Sequence, residues 1–99
     1  MPRATDSMVL GPVGQQAIDD TVPEVLPDIP CKCVILKNPA SNTGNIAFRN
    51  ASDGTTLTLA NGYVLAPGEE SPVLWVGNTD QIILLGSVDE DPIQYLPYQ

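Results

Sequence analysis

The chain has 99 residues with 42% hydrophobic content, which suits a single small domain with a modest core. Twelve acidic residues against four basic ones give a net charge of −8, so the chain lacks the cluster of Lys and Arg that phosphate binding requires. We therefore expect neither nucleic acid nor an anionic membrane surface as a partner. Histidine, the commonest general base and metal ligand, is absent, and we expect no enzymatic activity, no cofactor and no metal.

No stretch of the sequence approaches the roughly eighteen apolar residues of a membrane-spanning helix. The short apolar run at residues 8–10 ends at Gly11 and Pro12, and it is too short for the apolar region of a signal peptide. We therefore expect the protein to be made in a cytoplasm and to remain there unless an assembly carries it elsewhere.

The character of the chain changes at about residue 30. Residues 1–30 hold five of the ten prolines, each of which removes a backbone donor and pushes the preceding residue toward extended geometry. A short helix over residues 13–21 is compatible with the Gly-Pro before it, but no run resembles a strand. We predict an extended, Pro-rich N-terminal arm over residues 1–30, followed by a β-domain over residues 31–99.

Within the β-domain, short apolar runs end at turn signals with a spacing of roughly ten residues, which is typical of a β-sandwich or small barrel. Two runs, residues 33–37 and 81–86, are apolar on both faces and predict buried central strands. Five further runs predict strands at residues 45–50, 55–60, 63–66, 72–76 and 93–96. The expected fold is all-β, a small antiparallel β-sandwich or barrel of about seven strands that follows the arm.

Two turn signals refine this expectation. Asn61 and Gly62 predict a tight type I′ hairpin, because both central residues of that turn need positive φ. Pro97 lacks a backbone N–H, and we expect it to confine the last strand to an edge or terminal position.

The aromatic residues offer two interpretations. Trp75 and Tyr63 are expected mainly in core and rim packing, with a carbohydrate platform as the alternative. Tyr95 and Tyr98 lie near the C-terminus and are better candidates for contacts with a neighbour. With the apolar residues of the arm, they complete the set predicted to contact a partner: Val9, Leu10, Val22, Val25, Leu26, Ile29, Tyr95 and Tyr98.

The cysteines and the acidic loop are the remaining residues that could form a disulfide or bind a metal ion. Cys31 and Cys33 are expected as small, half-buried hydrophobes, with an interchain disulfide as the alternative. The acidic residues 89–91 are expected in a solvated loop, with calcium binding as the alternative. Neither group supplies a nucleophile with a matching base.

Three stretches carry a family resemblance. Residues 34–44 have the pattern strand, then N-x-x-x-N-T-G, and residues 62–71 contain a G-Y-x-L-x-P-G-E corner. Residues 80–82 have the D-x-I pattern at the start of a late strand. Together they resemble the small β-sandwich virion proteins of tailed bacteriophages, especially capsid decoration (cement) proteins, over about residues 33–85.

The resemblance implies a structural protein on the outer capsid surface of a virion, made in the host cytoplasm. It would bind the major capsid protein as a homo-oligomer, often a trimer, and bridge neighbouring capsid subunits, with its arm lying on the capsid or swapping between copies. The alternative is a phage tail, fibre or baseplate module that recognises a host glycan through exposed tyrosines and loops at residues 50–54, 61–62 and 77–80. A small acidic regulatory binder is a further alternative.

Overall fold

The computed structural model describes residues 13–99, and these form two antiparallel sheets that pack as a β-sandwich. Seven strands form among these residues: β1 Gly14–Ala17, β2 Glu24–Val25, β3 Cys33–Lys37, β4 Ile46–Asn50, β5 Tyr63–Leu65, β6 Ile82–Gly86 and β7 Pro92–Tyr98. Their order is β1-β7-β3 in one sheet and β2-β6-β4-β5 in the other. The predicted all-β sandwich is confirmed.

The core lies between the two sheets and follows the period-2 alternation of the strands. In β7, Ile93, Tyr95 and Pro97 are buried while the residues between them are half-buried. One continuous apolar cluster results, and its buried members are Ile18, Leu26, Val34, Leu36, Ile46, Phe48, Leu65, Ile82, Leu84, Ile93 and Tyr95.

The prediction of a separate arm over residues 1–30 is wrong for the part that the structure describes. β1 pairs with β7 and β2 pairs with β6, so residues 13–30 belong to both sheets. Ile18 and Leu26 are fully buried in the core, and no helix forms at residues 13–21. The Pro-rich local sequence gives no signal for these short strands, because they form only by pairing with strands that are distant in sequence. The rest of the predicted arm lies outside the described residues.

The strand predicted at residues 55–60 is a loop instead. Its alternation reflects one buried residue, Leu57, which packs on the outer face of the β2-β6-β4-β5 sheet against Ala47 and Leu85. This cover explains why β6 is apolar on both faces. The predicted type I′ turn is also wrong, because Asn61 does not have a positive φ and instead bonds through its side chain to the backbone of the loop.

The strand predicted at residues 72–76 is reduced to an irregular segment along the free edge of β3. Leu74 exchanges two backbone hydrogen bonds with Val34, both 2.9 Å. Nearby, the Ser71 hydroxyl accepts a hydrogen bond from the Leu36 N–H at 2.9 Å. Pro72 has no N–H to continue a ladder, so pairing stays limited to isolated bridges.

Of the two positions predicted for the strand that contains Pro97, the edge is wrong, because β7 is the central strand of its sheet. Pro97 lies next to the end of this last strand. Val34, which lies opposite Pro97, makes its backbone hydrogen bonds to Leu74 on its other side. The nitrogen of Pro97 therefore faces away from β3, toward the position of β1. Among residues 13–99, β1 begins at Gly14, opposite Tyr95, so none of the described strands lies opposite Pro97 on that side.

The two main stretches that carry the family resemblance meet at one buried corner. Asn38 is fully buried, and its Nδ2 donates to the carbonyls of Gly44 and Leu65 at 3.0 and 2.8 Å. Its Oδ1 accepts from Asn42 Nδ2 at 2.7 Å, and Asn42 also donates to the Pro92 carbonyl. These bonds join β5 in one sheet to β7 in the other.

The Pro-Gly-Glu corner closes the same junction from the other side. Gly68 has a φ of 89°, which favours glycine, and its N–H donates to the Asn38 carbonyl at 2.6 Å. The Glu69 carboxylate accepts from the Ala66 N–H at 2.6 Å. Opposite it, Asp91 accepts from the N–H of Gly44 at 2.9 Å. The residues that carry the family resemblance therefore stabilise the junction between the two sheets.

We expect Asn38→Ala to lower the free energy of unfolding by about 2–4 kcal/mol, because two buried carbonyls lose their donor. Denaturant unfolding followed by circular dichroism measures this. Asn45→Ala is the matched control, since Asn45 is exposed, and it should change stability by less than about 0.5 kcal/mol. Equal effects of the two substitutions would contradict the role of the corner.

Gly14→Ala should destabilise the sandwich by about 1–3 kcal/mol, because an added Cβ would lie 2.1 Å from Cζ of the Tyr95 ring. Gly77→Ala is the control, because its Cβ would meet only Gln81 Oε1, at 4.0 Å. Thermal unfolding of both variants tests this. Replacing Tyr95 by Leu in the Gly14→Ala background should make that substitution less costly, and an unchanged cost would count against the steric explanation.

Candidate functional site

A groove of about 340 Å³, the Trp75 groove, opens at one end of the sandwich. It lies between the ends of β4 and β5 and the irregular segment that follows β5. Its lining is mainly aliphatic and aromatic, with two polar members, and consists of Phe48, Arg49, Asn50, Tyr63, Val73, Leu74, Trp75, Val76 and Ile82.

The floor of the groove is an extension of the core. Phe48 on β4 pairs with Tyr63 on β5, and their ring centroids lie 5.2 Å apart with an interplanar angle of 39°. Ile82 starts β6 directly opposite the end of β4 and is buried. The groove floor is therefore held in place by strand pairing and does not depend on a loop.

Three of the side chains that line the groove are unusually exposed. Trp75 is 75% exposed, Tyr63 is 56% exposed and Val73 is 42% exposed. The prediction that Trp75 and Tyr63 pack mainly in the core or its rim is therefore wrong for Trp75. Leu74 turns inward at its bridge to β3, so its neighbours in the chain project outward.

One basic side chain lies at the edge of the groove. Arg49 donates through Nη2 to the Thr55 carbonyl, and its Nε lies 3.9 Å from Asp53 Oδ1. Among residues 13–99, that Nε is a buried atom with no hydrogen-bond partner. The Thr55 hydroxyl and N–H hold the pKa of Asp53 below its usual range, with a smaller contribution from the Arg49 charge.

Two of the residues predicted to contact a partner lie in the core, which corrects that assignment. Leu26 is only 1% exposed, and Tyr95 is buried where Gly14 leaves room for its ring. An aromatic ring that covers a cross-strand glycine adds to sheet stability. Val9 and Leu10 lie outside the described residues.

The other four predicted contact residues do not line the Trp75 groove. Val22 and Val25 are exposed on the side of β2, while Ile29 and Tyr98 are half-buried. The sequence predicted Trp75 and Tyr63 together only as an alternative carbohydrate platform, and it did not predict the groove. The alternation around Trp75 does not say which set of side chains faces inward.

A cluster of carboxylates lies at the opposite end of the sandwich. Oxygens of Asp19, Asp20 and Asp89 lie within 4.8 Å of one another, and such a set can hold a cation. Asp89 from the acidic loop, which was predicted as an alternative calcium site, belongs to this cluster. Asp91 from the same loop instead accepts hydrogen bonds from the backbone N–H groups of Thr43 and Gly44.

The two cysteines have free thiols. Cys33 is fully buried at the start of β3, while Cys31 is half-buried and donates through Sγ to the Val76 carbonyl at 3.4 Å. Burial raises the pKa of the Cys31 thiol, and the neighbouring Cys33 adds to this. A raised pKa leaves little reactive thiolate at neutral pH.

Comparison of the chain with protein-family models, with curated proteins and with solved structures finds no match in any of the three. Within residues 13–99, no helix has both the length and the apolar character needed to cross a lipid bilayer.

Acid should lower the stability of the folded protein, in part because it protonates the Asp19 carboxylate. Its Oδ1 accepts from the Thr21 N–H and hydroxyl and from the Val22 N–H, which lowers the pKa of Asp19. A lowered pKa in the folded state stabilises above the unfolded pKa, and this contribution disappears as pH falls through the folded value. We expect the melting temperature of the protein to decline below about pH 4.

The matched variant for this test is Asp19→Asn, which keeps an oxygen acceptor but does not titrate. Its melting temperature should lie below that of the wild type at pH 7, because the ionised acceptor is lost, and should fall less steeply below about pH 4, so that the two proteins converge in acid. Identical acid profiles for the two proteins would show that Asp19 does not contribute.

Proposed function

We propose that the chain is a structural, non-enzymatic protein that docks through its Trp75 groove onto a larger protein assembly. The main support for this proposal is that Trp75 is 75% exposed and lines the same groove as Tyr63 and Arg49. Trp, Tyr and Arg are the residue types that dominate binding energy at protein interfaces. Covering the exposed part of the indole removes roughly 150 Å² from water, which favours association by ~4 kcal/mol.

We further propose that the assembly is the capsid of a tailed bacteriophage and that the partner is the major capsid protein. The support is the resemblance of residues 34–44 and 62–71 to capsid decoration proteins. On this proposal the protein lies on the outer capsid surface as a homo-oligomer, with a trimer favoured, and bridges capsid subunits. The net charge of −8 favours docking onto a basic surface, because such a surface attracts an acidic protein.

Glycan recognition by a phage tail module is the second candidate. It is favoured by the two exposed rings, Trp75 and Tyr63, which border the polar residue Asn50 in one groove. Amphipathic aromatic rings next to hydrogen-bonding groups suit ligands with alternating apolar and polar faces.

Trp75→Ala should weaken binding to capsid shells of the phage that encodes the chain by roughly 30-fold or more, because a central aromatic anchor is lost. Co-sedimentation with purified shells at several protein concentrations gives the affinity. The control is Leu59→Ala, which truncates an exposed apolar residue outside the groove. Both variants should keep the wild-type melting temperature.

Two results would separate the candidates. Unchanged binding of Trp75→Ala to shells would contradict docking through the groove. A glycan array that yields a ligand whose binding is abolished by Trp75→Ala, with no binding to shells, would favour the tail module.

A further inference from the structure

The outer strand β5 directs one pair of main-chain groups away from its sheet. Beyond the paired ends of β4 and β6, the Asn45 carbonyl accepts from the Ser87 N–H. Successive residues of an antiparallel strand point their main-chain groups to opposite sides, so Ala47 also faces β6. Val64, which lies opposite Ala47, therefore points its N–H and C=O away from β4. Among residues 13–99, none of the strands lies on that side of β5.

Two other sheet edges are protected. Along the edge strand β3, Leu74 exchanges two main-chain hydrogen bonds with Val34. On the edge strand β2, the Val25 carbonyl accepts from Gln16 Nε2 at 3.1 Å. An edge with an unpaired donor and acceptor is the feature to which an extended peptide can add as a further strand. Within the part of the chain that the structure describes, β5 has this feature.

A cleft of about 410 Å³, the β5 cleft, runs along this edge, and it is lined by Gly62, Tyr63, Val64, Leu65, Glu69 and Glu70. It adjoins the Trp75 groove at Tyr63, which lines both. Glu69 and Glu70 are exposed, and the Glu69 carboxylate accepts from the Ala66 N–H just beyond the end of β5. Lys37 lies opposite Glu70 on β3 and offsets part of their charge. One wall of the cleft is therefore apolar and the other is acidic.

The direction of the β5 side chains determines what an added strand would present to these two sites. Leu65 is buried in the core, and Tyr63 lies two residues before it on the same face of β5. Paired residues of an antiparallel ladder share a face, so peptide residues opposite Tyr63 and Leu65 would point the same way. The first would meet the Trp75 groove, and the second would lie near the Glu69 carboxylate.

We propose that an extended peptide segment of the docking partner adds to β5 as an antiparallel strand. An apolar side chain enters the Trp75 groove, and a Lys or Arg two residues earlier lies beside Glu69 and Glu70. A basic residue complements these carboxylates, whereas a second copy of the chain would place like charges against them. The inference rests on the proposed docking function of the Trp75 groove and specifies the partner segment that it binds.

Binding of a synthetic peptide to the full-length protein tests this inference. The probe has seven residues, with lysine third, leucine fifth and threonine elsewhere. Trp75 is the only tryptophan in the chain, so its emission should shift to the blue and its acrylamide quenching should fall as the probe binds. A control peptide with lysine fourth places the lysine on the face opposite the leucine, and it should bind about fivefold more weakly or worse. Equal affinities for the two peptides would contradict the inference.

Charge at the acidic wall is tested with Glu70→Gln, which should weaken binding of the probe about threefold at low salt. Glu90→Gln is the matched control, because Glu90 is exposed outside the β5 cleft, and it should leave the affinity unchanged. Equal affinities of the two variants for the probe would contradict contact between the peptide lysine and this wall.

Methylation of single peptide nitrogens separates strand addition from docking by side chains alone. The threonine between lysine and leucine lies opposite Val64, so a methyl group on its nitrogen removes the donor to the Val64 carbonyl. This peptide should bind about tenfold more weakly than the probe. The leucine nitrogen faces away from β5, so its methylation should change the affinity by less than about threefold. Equal affinities of the two methylated peptides would overturn strand addition.

Co-sedimentation with capsid shells separates failure of this inference from failure of the docking function. Trp75-dependent binding to shells, together with no binding of the probe, would overturn strand addition and leave docking intact. Binding to shells that is unchanged in Trp75→Ala would contradict docking through the groove. Light scattering that shows a dimer converted to a monomer by the probe would overturn the peptide partner in favour of a second copy on β5.

Discussion

The two sheets depend on one buried amide at the corner where the chain crosses between them. Asn38 donates to the Leu65 carbonyl and receives a hydrogen bond from Asn42, which in turn reaches Pro92 at the start of β7. A buried polar group of this kind is costly unless every partner is present, so it specifies one arrangement of the strands. Through Leu65 it fixes the register of β5, and that register sets Tyr63 against Phe48 in the Trp75 groove.

The molecule has two chemically distinct ends. The Trp75 groove lies where β4 ends and β6 begins, while the carboxylates of Asp19, Asp20 and Asp89 gather near the other end of β6. An apolar end gains free energy when it is covered, whereas an acidic end loses hydration and meets repulsion when it approaches a like surface. If the protein docks as proposed, this polarity favours one orientation, with the groove toward the partner and the acidic end toward solvent.

Local sequence signals located the strands whose apolar pattern is dense. β3, β4, β5 and β6 lie within a residue or so of the predicted runs, because β-branched residues and turn signals act over a few positions. The failures have a common cause. β1 and β2 are weak strands that exist only because β7 and β6 offer open edges, and residues 55–60 alternate without pairing because Leu57 covers a neighbouring sheet. The groove itself was not predicted for the same reason, since it is assembled from four separate parts of the chain.

The all-β class, the main strands and the corner motif follow from the local sequence, because periodicity, turn chemistry and the spacing of Asn38 and Asn42 are local properties of the chain. Which face of each run points inward, and which strands become neighbours, depends on the packed fold. Those choices depend on packing between residues far apart in sequence, where a shift of one residue exchanges the buried and exposed faces. Trp75 shows the difference, because only the inward position of Leu74 leaves the indole in solvent.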